Sequence, residues 1–232
     1  MLGAVLLFII SVAGMYAFLH YKPELDPSLG MPFIFVGISL IILFSWVGLF
    51  QRSIISYAVF STIIQAAYFL LDTGSVLVGG KSVMFAFLQA LNFTFAGGLF
   101  MILFARLYSE MRKDDLVDYA GIYEKNHFLV FAMCIACLSL GGMPGFNIFV
   151  GEFLLYSFLF AIHPVFAMAA IFAGLLCFLF YFRICYTLMV RKSETTIALP
   201  LPVKLAAAVL SGLVVGLGIL PQVLLKILEM VS

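Results

Sequence analysis

Glu152 is the side chain with the most chemical potential in this sequence, because of what precedes it. It follows Gly141-Gly142-Met143-Pro144-Gly145, an interruption inside an otherwise apolar stretch from Phe128 to Ile162. A Gly/Pro break frees backbone carbonyls and amides that lipid cannot satisfy, so it is tolerated only where protein or a water-filled cavity meets them. Glu152 lies ten residues before the end of the stretch, which on a helix is ~15 Å from that surface and near the bilayer middle. An ionised, unpaired carboxylate at that depth costs several kcal/mol. The group is therefore protonated, paired or hydrated, and each state suits a proton carrier or a cation site. The alternative is a structural carboxyl hydrogen-bonded to a neighbouring helix.

Softer polar signals lie nearby. Ser61, Gln65 and Tyr68 share one helical face, Gln89 and Asn92 share another, and Asn147 follows the break. They either hydrogen-bond between helices, at about 0.6 kcal/mol each, or line a hydrated path. His20, His127 and His163 fall at segment ends and read as interfacial. Asp72 and Arg106 also fall at segment ends, which leaves Glu152 as the one acidic or basic side chain expected deep in the membrane. One such site cannot make a relay across ~30 Å of hydrocarbon. Cys134, Cys137, Cys177 and Cys185 all lie in apolar segments. Without a second pair or a nearby histidine, the Cys134–Cys137 spacing reads as small buried hydrophobes rather than a metal site.

The elements that must position these residues follow from composition. The chain of 232 residues is 65% hydrophobic and 10% charged, against about 25% charged in soluble domains, so its solvent is lipid. A net charge of +1 gives no basis for nucleic-acid binding. Leu2–Leu19 is too long for a signal-peptide core and no basic segment precedes it, so no cleavable leader is expected. The uncharged runs do not alternate as barrel strands do. They predict an all-α polytopic membrane protein, one transmembrane domain over residues 1–232. Its helices are expected at about 2–20, 32–50, 54–72, 82–107, 128–162 (broken near Gly141–Gly145), 165–190 and 204–228.

Counting 128–162 as a single broken span makes seven transmembrane helices, the fifth broken. Arg52, Arg106, Arg112, Lys113, Lys125, Arg191, Lys192 and Lys204 then face one side, against Lys22, Lys81 and Lys226 on the other. Basic residues collect on the cytoplasmic or matrix side, so the N-terminus is expected there. Two separate spans would erase most of that asymmetry.

Three stretches carry a resemblance. "LSLGGMPGFNIFVGEFLLY", from Leu138 to Tyr156, resembles the broken twelfth helix of the antiporter-like membrane subunits. These are subunits 2, 4 and 5 of NADH dehydrogenase in respiratory complex I, with their counterparts in membrane-bound hydrogenases and multisubunit sodium/proton antiporters. In that family the pattern is roughly L-S-L-x-G-x-P-P-x-x-G-F-x-x-K/E-F, and Glu152 falls at its lysine-or-glutamate position. "QRSIISYAVFSTIIQAAYFLL", from Gln51 to Leu71, is similar to the family's Q-x-D-I-K-R-L-L-A-Y-S-S-I segment. "ARLYSEMRKDDLVDYAGIYEKNHFL" resembles the loop before the broken helix. Departures are Gly145 for the second proline, Ile148 for a glycine, and Ile55 and Ser56 for the basic pair.

The resemblance covers the C-terminal half of the family fold, about helices eight to fourteen. It implies a half-length antiporter-like subunit without a redox centre or cofactor of its own. Such a subunit sits beside other membrane subunits of a redox-driven proton- or sodium-translocating complex, either a complex I-type NADH:quinone oxidoreductase of a respiratory chain or a related membrane hydrogenase. It implies the mitochondrial inner membrane or a prokaryotic plasma membrane. A separate chain supplying the N-terminal half is one arrangement it allows; Glu152 would then be an exit-side proton site. In the other, the chain is a scaffold between pumping subunits. A stand-alone secondary cation transporter or channel, binding its cation beside Glu152, is the reading from a different class.

Overall fold

Lipid offers no partner for backbone amides and carbonyls, so apolar runs of this length close their hydrogen bonds as helices. A computed structural model describes residues 1–21, 25–79, 84–190, 193, 195–220, 222 and 226. It contains α1 (Leu2–Tyr21), α2 (Gly30–Leu49), α3 (Ile54–Gly79), α4 (Met84–Met111), α5 (His127–Leu140), α6 (Asn147–Ile162), α7 (Pro164–Met189) and α8 (Leu201–Ile219). Pro27–Leu49, Ile54–Gly79, Ala86–Met111, Pro164–Met189 and Leu201–Ile219 are each long and apolar enough to cross a bilayer. Apolar α1, α5 and α6 complete a polytopic, all-helical membrane fold.

The broken segment is two helices stacked end to end along one neighbour. The Cys134 thiol of α5 lies beside Cys185 near the end of α7. Gly141 abuts Phe178, and Tyr156 of α6 lies against Gly174 earlier in α7. The single helix α7 thus flanks both halves, and α5 and α6 cross the membrane once between them. Basic residues gather where the connections at 51–53, 112–126 and 195–200 interlock. Leu116 donates to the Arg52 carbonyl at 2.8 Å, and Ser53 bridges Asp115. Arg106 donates to the Ala198 carbonyl, and Asn126 accepts from the Ile197 amide at 2.7 Å. Arg183 lies over the Tyr57 ring and Lys204 over Phe128. This is the end expected to face the cytoplasm or matrix. Lys22, Lys81, Arg191 and Lys192 lie outside the described residues.

The stretch before the broken helix is a folded cap. Its two 3₁₀ turns, Leu116–Tyr119 and Ile122–Glu124, bury Leu116, Tyr119 and Ile122. The Tyr119 hydroxyl donates to the Lys113 carbonyl at 2.7 Å, and burial raises its pKa from the ordinary 10.0 to about 12.

One expectation changes here. The segment expected to end at Asp72 continues for two further turns, to Gly79. Asp72 is 3% exposed and belongs to the helix interior. The extension is held by a close crossing: a Cβ on Gly74 would come within 2.7 Å of the Gly30 carbonyl oxygen, and one on Gly37 within 2.9 Å of Leu71 Cβ. Small residues let membrane helices approach this closely. Glu152 is therefore not the only acidic group deep in the fold.

Candidate functional site

The break is built from left-handed glycines and is braced by side chains. Gly142 has φ +71° and Gly145 φ +95°, conformations that L side chains rarely adopt. The Met143 amide returns to the Leu138 carbonyl at 3.0 Å, closing α5. The Leu140 carbonyl accepts from Gln65 Nε2 at 3.1 Å and from the Cys177 thiol at 3.6 Å. Gln89 Nε2 then donates to Gln65 Oε1 at 3.4 Å. Beyond the break, Asn92 Nδ2 donates to the Asn147 carbonyl at 3.0 Å, and Asn147 Nδ2 donates to Asn92 Oδ1 at 3.1 Å. Ser139 completes the set by donating to Asn147 Oδ1 at 2.7 Å. Gln65 thus meets a carbonyl that the break frees, Gln89 braces Gln65, and Asn92 and Asn147 join α4 to α6 just beyond the break. A Cβ on Gly218 would overlap the backbone of Gly145 and Phe146, so α8 closes on the break from another side.

Glu152 lies one turn into α6 and folds back over the break. It is 4% exposed. Its carboxyl covers the Cα of Gly142, and a Cβ there would overlap Oε2. Tyr156, one turn further on, donates to Oε2 at 3.3 Å. Glu152 Oε1 is buried with no hydrogen-bond partner. The Tyr68 hydroxyl of α3 lies beside Glu152, Tyr156 and Cys177 without closing a well-aligned bond to any of them. A groove of about 340 Å³ leads from Gly142, Pro144 and Glu152 past Tyr156, between α6 and α7. A buried carboxyl with an unpaired oxygen, hydroxyls at its side and a groove at its back can take up and release a proton or small cation.

Sequence reasoning missed Tyr156, Tyr68 as a neighbour of Glu152, Ser139 and Cys177. Tyr156 had a signal, since it stands at i+4 from Glu152, the spacing of touching helical side chains. The three histidines do stand at helix ends; His163 Nδ1 caps α7 by accepting from the Val165 amide at 3.2 Å. Cys185 joins Cys134 and Cys137 as buried free thiols. Among the described residues, no group of three or more His, Cys, Asp or Glu is arranged to hold a metal ion.

Residues 1–177 match the family described as NADH:quinone oxidoreductase/Mrp antiporter, TM. The chain belongs to that family. Within it, the chain is 31% identical over 185 residues to NADH-quinone oxidoreductase subunit N of Geobacillus sp. (strain WCH70), covering 75% of this chain and 36% of that protein. It is 29% identical over 157 residues to subunit M of Rickettsia conorii (strain ATCC VR-613 / Malish 7), covering 66% of this chain and 31% of the relative. The antiporter-family fold recurs in respiratory complex I from Thermus thermophilus with bound NADH. The TM-score there is 0.78 at 20% identity, over 94% of this chain and 47% of that one. It recurs in the membrane-bound sulfane sulfur reductase (MBS), an archaeal respiratory membrane complex, at TM-score 0.81 and 21% identity, over 93% of this chain and 38% of that one. At these identities the structural likeness is one of fold. The chain spans about a third of the length of these curated relatives and less than half of these solved chains.

Proposed function

We propose that this chain is a membrane-arm element of a redox-driven proton- or sodium-translocating complex of the complex I type. In it Glu152 holds and releases the translocated proton. Family membership and the relatives' descriptions as NADH-quinone oxidoreductase subunits support the complex. The observation that carries the site is the Glu152 carboxyl itself, buried over a helix break with Oε1 unpaired. Intramembrane carboxyls are expensive and mark ion pathways.

Gln65 holds the last carbonyl before the break, and Asn92 and Asn147 pin the start of α6 after it. The groove beside Glu152 is where a neighbouring subunit or water would reach its carboxyl. The electron donor and acceptor lie on other subunits, in a prokaryotic plasma membrane or the mitochondrial inner membrane. The test is Glu152→Gln in the purified complex returned to vesicles, with ions moved per electron transferred as the readout. The ratio is expected to fall while electron transfer continues. A ratio equal to that of the unmodified complex would overturn the proposal.

A further inference from the structure

Helix α3 carries a polar stripe that runs the length of its buried face and continues past Glu152. Tyr57, Ser61, Gln65, Tyr68 and Asp72 recur every three or four residues. At 100° per residue they fall within about 80° of one another, over ~22 Å of helix rise. Four are 0% exposed and Asp72 is 3% exposed.

Tyr57, Ser61 and Gln65 each meet a polar or charged partner from another element. The Tyr57 ring lies under Arg183, with the guanidinium carbon 5.9 Å from the centroid. Ser61 Oγ is 2.8 Å from the Tyr181 hydroxyl. Gln65 spans from the Leu140 carbonyl to Gln89. Tyr68 lies beside Glu152 and Tyr156. Asp72 follows one turn later on the same face and is buried with Tyr68.

Packing alone does not call for such a face. An apolar stripe would fill the same space, and intramembrane carboxyls are expensive and mark ion pathways. Asp72 stands one turn beyond Tyr68, on the side of Glu152 away from the basic end of the fold. It is seven residues short of the end of α3, or ~10 Å from it. Among the described residues, Glu152 Oε1, the Tyr68 hydroxyl and Ser45 Oγ are buried without a partner, and Tyr68 is on the same helical face as Asp72.

We infer that Asp72 is a second proton-bearing carboxyl of the same path, receiving the proton that Glu152 releases and passing it to the far surface. In that step the O–H bond of the Glu152 acid breaks and one forms on the Asp72 carboxylate, with the Tyr68 hydroxyl or a water as carrier. Charge and atoms balance without an oxidant or reductant. This rests on the reading of Glu152 as the translocation site and supplies the second station that a single carboxyl lacks.

The test compares Asp72→Asn, Asp72→Glu and Glu152→Gln in the intact complex returned to vesicles, reading ions moved per electron. Asp72→Asn is expected to fall to the level of Glu152→Gln with electron transfer continuing, and Asp72→Glu to retain translocation. Normal translocation in Asp72→Asn alongside loss in Glu152→Gln overturns the role of Asp72 and leaves that of Glu152 standing. Normal translocation in both overturns both. Should Asp72→Asn fail to assemble, the unmodified complex is treated with a lipid-soluble carbodiimide, which reacts with protonated carboxyls, and its adducts are mapped by mass spectrometry. Adducts on both Asp72 and Glu152 are expected; an adduct on Glu152 with Asp72 unmodified overturns the inference.

Discussion

The carboxyl of Glu152 occupies the space into which any side chain at Gly142 would project. Ten residues separate the two along the chain, and the left-handed turn at Gly142 brings them together. The Gly142→Ala variant therefore meets two costs: about 1–2 kcal/mol for a left-handed conformation with a Cβ, and displacement of the carboxyl. Gly145 has a positive φ as well, but a Cβ there meets nothing within 4 Å. Thermal unfolding in detergent is expected to rank Gly142→Ala well below Gly145→Ala in melting temperature. Equal losses would mean that Glu152 does not depend on Gly142.

Asn92 and Asn147 exchange hydrogen bonds across α4 and α6, and each also reaches the other's backbone carbonyl. Either change to Ala strands the partner amide. Each single variant is expected to cost about 1–3 kcal/mol, the penalty of an unmatched buried polar group. The double variant should cost clearly less than the two together, because neighbouring sites in one network couple by about 0.5–3 kcal/mol. Additive losses in a denaturant-unfolding cycle would show that the pair does not act as a unit.

Gly174 leaves room for the Tyr156 hydroxyl, which a Cβ at that position would overlap. Overpacking of this kind costs about 1–3 kcal/mol. Gly174→Ala is expected to lower the melting temperature, and Tyr156→Phe in the same chain to recover part of the loss by removing the overlapping oxygen. No recovery would place the strain elsewhere on α7.

Tyr119 lies in the cap outside the membrane-spanning helices, and burial pushes its phenol from 10.0 to about 12. Its folded value is raised, so its contribution to stability is fully present below pH 10.0 and is lost as pH rises through about 12. Phenolate absorbance followed through an alkaline titration should show a late-ionising tyrosine that disappears in Tyr119→Phe. Loss of signal from the ordinary phase near 10.0 instead would mean the hydroxyl is solvated rather than held against the Lys113 carbonyl.

Less than half of each compared solved chain is matched by this one. Mild-detergent isolation from the native membrane, followed by mass spectrometry, is expected to yield a large complex with flavin or iron–sulfur subunits. A separate companion chain matching the N-terminal half of the family fold would support a divided pump. A large complex without one would favour a scaffold. A small homogeneous oligomer of this chain alone would favour a stand-alone transporter.

Much of the architecture was legible in the sequence because lipid makes it so. Runs such as Met31–Phe50 and Val165–Phe182 can only be helices in hydrocarbon, and Gly141–Gly145 can only be a break. The depth of Glu152 and the shared face of Ser61, Gln65 and Tyr68 followed from helical rise and period alone. The end of α3 did not. A rule that stops a span at its first charged residue placed Asp72 at the surface. The actual end is set by the glycine crossing of Gly30 with Gly74, a contact between helices that no local pattern encodes. The same holds for the surroundings of Glu152. Its neighbour Tyr156 is one turn away and could be read from spacing, but Tyr68 comes from α3 and Cys177 from α7. Which of many helix faces meet is decided by the packing of the whole bundle. The sequence therefore determined that a carboxyl sits at a broken helix in the membrane. Only the tertiary structure decided that it lies over Gly142 with one oxygen unpaired, and that a second carboxyl stands further along the same polar face.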